Sequence, residues 1–131
     1  FFMKTIINTD NAPNPVGPYN QAVLANGMLY CSGQIPIDPA TNKLVTSGII
    51  AETEQVMKNL EAVLIAAGGT FESVVKCSIF MSDMVFYSSI NSVYAKYFKE
   101  DTAPAREAVA VKTLPKNVNV EISLIAVIQE K

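Results

Sequence analysis

The chain has 131 residues, half of them hydrophobic, a formal net charge of -2 and a mean hydropathy of +0.25. The length fits one domain, and the charge, with no long basic run, argues against a nucleic-acid footprint or a basic helix on a membrane surface. Histidine is missing from the sequence, which excludes Ser-His-Asp and Cys-His nucleophilic catalysis and removes the commonest transition-metal ligand.

A domain of this size buries only about two-thirds of its unfolded surface. Part of the apolar surplus is therefore expected at a subunit interface. Phe1-Phe2-Met3-Lys4 lacks the basic region and long apolar core of a secretory signal. Met3 reads as the natural start of a single domain over residues 3–131, with Phe1 and Phe2 a remnant ahead of it. Cys31 and Cys77 lie in apolar, strand-like runs. Without a secretory signal they read as reduced thiols packed in a core, which places the protein in the cytoplasm.

A weak strand is predicted over Lys4–Asn8, followed by a loop over Asn11–Pro18 that its prolines and glycine keep irregular. Gln21–Ala25 and Met28–Ser32 flank Asn26-Gly27 and predict a tight hairpin. Pro36–Ser47 is a polar excursion. Glu52–Ala67 is a helix with Val56, Leu60, Val63 and Leu64 on one stripe, stopped by Gly68-Gly69. Ser73–Ser82 is a strand. Asp83 caps a second helix that carries Phe86, Ile90, Val93, Tyr94 and Tyr97 inward and ends near Lys99. Arg106–Thr113 and Val118–Ile128 are two strands joined as a hairpin at Pro115-Lys116.

The order β-β-β-α-β-α-β-β makes an α+β sandwich, with two helices on one face of a mixed sheet. The other face needs a cover, and another copy of the chain is the economical one. In the final hairpin, Ala110 is expected opposite Glu121 and Arg106 opposite Ile125. Alternation then puts Val109, Val111, Val120, Ile122 and Leu124 in the core. Arg106, Ala108, Ala110, Glu121 and Ser123 share the other face, with Arg106 and Glu121 four positions apart, ~13 Å. A one-residue shift in the turn would separate Arg106 and Glu121 onto opposite faces.

Gly17-Pro18-Tyr19, Cys31-Ser32-Gly33-Gln34-Ile35-Pro36, Asn91-Ser92-Val93-Tyr94, Pro104-Ala105-Arg106, Leu114-Pro115-Lys116 and Val120-Glu121-Ile122 occur in that order. Together they resemble the pattern of the reactive-intermediate deaminase (YjgF/YER057c/UK114) family, over essentially the whole chain from Met3. The resemblance implies a chorismate-mutase-like fold and a homotrimer with clefts between subunits. It also implies a cofactor-independent hydrolase of the 2-iminobutanoate/2-iminopropanoate deaminase type, converting 2-aminoacrylate and similar enamines or imines to 2-oxo acids and ammonia. Arg106 matches the carboxylate-binding arginine and Glu121 the carboxylate associated with a bound water. Tyr19, Ser32 and Asn91 match polar cleft residues, and Gly33 and Ala108 match positions whose backbone amides meet the ligand. Many members carry Cys where Ala108 stands, a small residue at Glu107 and an aromatic at Ala103.

Arg106 suits such a substrate because a guanidinium grips a carboxylate through two parallel hydrogen bonds and stays charged. Its bland alternative is a surface pair with Glu107 or Glu121. A half-buried Glu121 could exchange protons near neutrality, or be a structural carboxylate. Tyr19 and Asn91 each have an ordinary packing or exposed role as the alternative. Neither a phosphate loop, nor a metal-ligand cluster, nor a Schiff-base lysine is evident, and the reaction is expected to need no metal or pyridoxal phosphate. A sensor of small carboxylates and a chaperone-like protein with an apolar surface are the competing functions.

Overall fold

A computed structural model of the protein describes residues 3–128; the expectations on Phe1, Phe2 and the last three residues of the domain lie outside them. Eight strands and two helices follow in chain order: β1 (Thr5–Ile7), β2 (Ala22–Ala25), β3 (Met28–Gln34), β4 (Ile37–Asp38), β5 (Lys43–Leu44), α1 (Ile49–Ala66), β6 (Val74–Met81), α2 (Tyr87–Tyr94), β7 (Ala105–Ala110) and β8 (Val120–Val127). Six strands form one mixed sheet in the order β1-β2-β3-β8-β6-β7. The α+β class and the order of the main elements are as read from the sequence. The additional β4-β5 ribbon lies inside the polar excursion.

Local chemistry explains most of these elements. Asn26 and Gly27 take φ of 51° and 76° between β2 and β3, and Ala25 pairs with Met28. That is the two-residue turn whose twist matches antiparallel strands. In α1, Val56, Leu60, Val63 and Leu64 are buried at helical spacing against the sheet. The helix closes where the Gly68 and Gly69 amides donate to Ile65 and Leu64 carbonyls, with Gly68 at φ 87°. It begins three residues earlier than its expected start, at Ile49 behind Gly48. The Asp83 carboxylate accepts from the Val85 amide at 2.8 Å, as expected of a cap. The helical path then has a 3-10 turn over Met84–Phe86 before α2, and α2 stops at Tyr94 rather than near Lys99. Phe71, Tyr94, Tyr97 and Phe98 form an aromatic cluster at this end, with ring centroids 4.7–5.4 Å apart.

The expected final hairpin is not formed. β8 runs between β3 and β6, antiparallel to both, and β7 lies parallel to β6 at the sheet edge. The connection contains a 3-10 turn at Pro115–Asn117, in which Lys116 and Asn117 both take positive φ, 55° and 57°. A pair of left-handed residues would also suit a tight hairpin, but β8 already has β3 on one side and β6 on the other, so β7 is left with the outer edge of β6. The predicted pairings therefore fail: Arg106 pairs with Cys77, and Glu121 pairs with Phe80. Val120, Ile122 and Leu124 are core as expected, but Val109 is 42% exposed on the opposite face. The parallel register puts Arg106, Ala108 and Ala110 level with Cys77, Ile79 and Met81, on the helix-covered side.

Both helices pack on that side. The other side of the sheet carries no element of the chain's own and exposes Tyr30, Val75, Val109 and Val127. It also carries a polar group at its β7 edge. Glu107 accepts from the Ser78 hydroxyl and pairs with Lys76 at 2.9 Å. These bonds, the hydroxyl's first, hold the Glu107 carboxyl below its ordinary pKa.

Candidate active site

Arg106 sits where β7 passes the exposed side of α2. One guanidinium nitrogen donates to Asn91 Oδ1 at 2.7 Å and the other to the Tyr87 hydroxyl at 2.9 Å. Its central carbon lies 4.9 Å from the centre of the Tyr94 ring and 5.8 Å from that of Tyr87, within cation-π range. Tyr87, Asn91 and Tyr94 follow one another at helical spacing, so a single stripe of α2 supplies the whole cradle. Of these, the sequence reading singled out Asn91 for the site and left Tyr94 to the core. Tyr94 is indeed buried, with Arg106 over its ring. Tyr87 was missed, although its four-residue offset from Asn91 was visible.

The ion pairs among the described residues join Lys76 to Glu107 and Lys96 to Glu54. Arg106 belongs to neither, so the expected alternative of a surface pair with Glu107 or Glu121 does not form within the chain. A half-buried guanidinium with only neutral acceptors is an open anion site. It lines a half-open cleft of about 620 Å³ together with Ala95, Phe98, Glu100, Ala103 and Pro104. The Tyr94 hydroxyl lies buried beside the Cys77 thiol and makes no well-formed hydrogen bond among the described residues. Burial pushes the Cys77 thiol up, and the Cys31 thiol up to about 12. Both cysteines are therefore unreactive core thiols.

A second group assembles elsewhere. β3 carries a bulge opposite β8, where Cys31 pairs with Leu124 but Gln34 pairs with Ile122. The residues of the bulge are Ser32 and Gly33, and bulges re-aim the chain in this way beside sites. A Cβ at Gly33 would fall 2.8 Å from Cδ of Glu121, so only glycine lets that carboxylate lie against the strand. Glu121 itself is half-buried, and burial raises its pKa above the ordinary carboxylate range. The Ser32 hydroxyl donates to the Asn20 carbonyl at 2.7 Å. The half-exposed Tyr19 accepts from the Val16 amide at 3.4 Å. Tyr19 and Gly33 share a smaller cleft with Gln34, Pro115 and Lys116.

Gln21, which the sequence reading passed over, holds this loop in place. Buried at the start of the hairpin, its side-chain amide donates to the carbonyls of Thr9, Ala12 and Pro13 and accepts from the Thr9 amide. Asn59 does the same for the β4 excursion, donating to the Ile35 and Ile37 carbonyls. For Asn59, a lone polar residue on the apolar stripe of α1 was the available signal.

The expected site residues thus fall into two groups. Arg106 and Asn91 meet directly, with Ala108 two residues along β7. Glu121, Gly33 and Ser32 gather on β8 and β3, with Tyr19 nearby. Arg106 and Glu121 lie on opposite faces, ~14 Å apart by strand spacing. Among the described residues no cluster of three His, Cys, Asp or Glu is placed to hold a metal ion.

A family model described as Endoribonuclease L-PSP matches residues 9–128. The chain belongs to this family, the YjgF/UK114/RidA group. A RutC family protein of Pyrococcus horikoshii is 48% identical over 124 residues, covering 95% of this chain and 98% of that protein. The human 2-iminobutanoate/2-iminopropanoate deaminase is 40% identical over 125 residues, covering 95% of this chain and 90% of its own length. The solved structure of a Rid family protein, YyfA from Yersinia pestis, has a TM-score of 0.93 and 48% identity, covering 96% of this chain and all of that one. Family members thus share the fold, and one of these relatives is named as an imine deaminase. No helix among the described residues is long and apolar enough to cross a membrane.

Proposed function

We propose that this chain hydrolyses enamines and imines derived from amino acids, such as 2-aminoacrylate, to 2-oxo acids and ammonia. The carrying observation is the half-buried Arg106 guanidinium, oriented by Asn91 and Tyr87 and free of any carboxylate among the described ion pairs. Such a group holds the substrate carboxylate. Water then forms a C–O bond at the imine carbon, the C–N bond breaks, and ammonia leaves with the transferred protons. An enamine first takes a proton at its terminal carbon to become the imine. No electron is exchanged and no cofactor is required.

Glu121 is our choice for the proton-handling group, because a carboxyl with a raised pKa both takes and returns protons closer to neutrality. Its distance from Arg106 within one chain motivates the second part of the proposal. Subunits of a homotrimer pair the Arg106 group of one chain with the Glu121 group of the next, and Tyr19, Ser32 and the Gly33 and Ala108 amides complete the cleft. The uncovered sheet face, with Tyr30, Val75, Val109 and Val127, supplies the apolar contact for such an assembly. We place this activity in the cytoplasm.

The same separation favours a second reading, a module that binds small carboxylates without turning them over. A coupled assay decides between them. A dehydratase generates 2-aminoacrylate, and pyruvate formation is followed with and without this protein. Acceleration by the protein supports hydrolysis; an unchanged rate alongside measurable 2-oxo acid binding supports the sensor. The family descriptor names an endoribonuclease, but a chain of net charge -2 gives little of the cationic surface that RNA backbones require.

A further inference from the structure

Within one chain, before any neighbour closes it, the cleft beside Arg106 has more room than the smallest imines need. A cavity of about 620 Å³ falls within the ~300–1,000 Å³ typical of sites for drug-sized ligands, whereas 2-aminoacrylate has three carbons. Its walls are graded. Arg106 and Asn91 stand at one side, the rings of Tyr94 and Phe98 and the pyrrolidine of Pro104 form an apolar wall, and Ala95 and Ala103 leave the space open. Both alanines are exposed. Glu100 is the acidic residue at the rim, and it disfavours a substrate with a second carboxylate.

We infer that this cleft is a side-chain pocket, and that it selects imino acids with a bulky, uncharged apolar or aromatic side chain over the alanine-sized ones. This rests on the proposed deaminase reading and sharpens it. With the carboxylate held at Arg106, the side chain lies along Tyr94, Phe98 and Pro104. Ala103 is the specificity-determining position, since any larger residue there narrows the pocket. Each methylene accommodated in an apolar pocket changes selectivity by roughly 10- to 200-fold, so the expected preference is large enough to read.

The test uses the full-length protein. D-amino-acid oxidase with catalase generates imines from D-alanine, D-leucine and D-phenylalanine, and semicarbazide trapping reads how fast each disappears. For the wild type, kcat/KM with the leucine- and phenylalanine-derived imines should exceed that with the alanine-derived imine by at least about tenfold. Ala103→Phe should shrink that ratio towards unity, with circular dichroism confirming its fold. Equal rates on all three imines, or an unchanged ratio in Ala103→Phe, overturns the pocket while leaving the deaminase reading intact. If the wild type consumes none of the imines, the deaminase reading falls instead, and calorimetry with pyruvate, 4-methyl-2-oxopentanoate and phenylpyruvate tests the pocket alone. Tighter binding of the larger acids, lost in Ala103→Phe, supports it; equal affinities, or an order unchanged in the variant, overturn it.

Discussion

On the helix-covered face, Arg106 is oriented by its own chain: Asn91 and Tyr87 accept hydrogen bonds from it, and Tyr94 lies beneath it. On the open face, Glu121 is pressed against Gly33 and desolvated, with no ion-pair partner among the described residues. One chain is enough to orient a cation for an anionic ligand, because the cation needs only neutral acceptors and one open side. In the proposed reaction Glu121 handles protons, and the Arg106 group it would serve lies on the other face of its own chain.

The largest effect tests the poorer side. Glu121→Gln keeps the size of the side chain and removes the base, so turnover should fall by ~10²–10⁴-fold with carboxylate binding retained. The wild-type rate should rise with pH through a value above the ordinary carboxylate range, and that limb should vanish in the variant. Unchanged turnover would make Glu121 structural. Stability carries the opposite sign. A raised pKa means that the neutral form is favoured by folding, so the wild type loses stability as pH rises through that value. Denaturation midpoints of Glu121→Gln and wild type should therefore agree in acid and diverge in favour of the variant at neutral pH.

Arg106→Ala tests the richer side. Losing charge-assisted bonds worth ~1.5–3 kcal/mol weakens carboxylate binding by roughly 10- to 150-fold, measured by calorimetry, and most activity goes with it. Wild-type kinetics in a folded variant would remove Arg106 from the site. Mixing the two inactive variants then joins the sides. If neighbours share each cleft, random exchange restores about a quarter of the sites. Proven exchange without recovery would confine both residues to one chain's contribution. The smallest effect separates the two tyrosines. Tyr87→Phe removes an acceptor from Arg106 and should weaken binding by ~0.5–1.5 kcal/mol. Tyr94→Phe removes a hydroxyl without a well-formed bond and should leave binding unchanged and stability equal or higher. The reverse order would mean that the cradle is misassigned.

Where signals were local, the sequence was legible. Asn26-Gly27 specified its hairpin, Gly68-Gly69 its helix stop and Asp83 its cap. Arg106 and Asn91, both singled out by the family resemblance, are joined by a hydrogen bond. The failure came at Pro115-Lys116, where a local turn signal was extended into a strand pairing. Pairing partners are chosen by the whole sheet, and β8 finds better ones in β3 and β6, with Val120, Ile122 and Leu124 against α1. β7 then had the opposite phase, which carried Arg106 to the helix side. The bulge at Ser32-Gly33 was invisible for the same reason, since it exists only relative to β8.

β8 follows the other five strands of its sheet along the chain, yet it has a neighbour on both sides, β3 and β6. Without β8, the β1-β2-β3 and β6-β7 strands share no pairing. Cys31 on β3 and Cys77 on β6 flank β8 from its two sides, and both pair with Leu124. The middle strand of the sheet is thus the last of its six to be made, and the sheet cannot close before β8 is available. Thiol alkylation during refolding should therefore report the closing of the sheet, with both cysteines protected once β8 is in place.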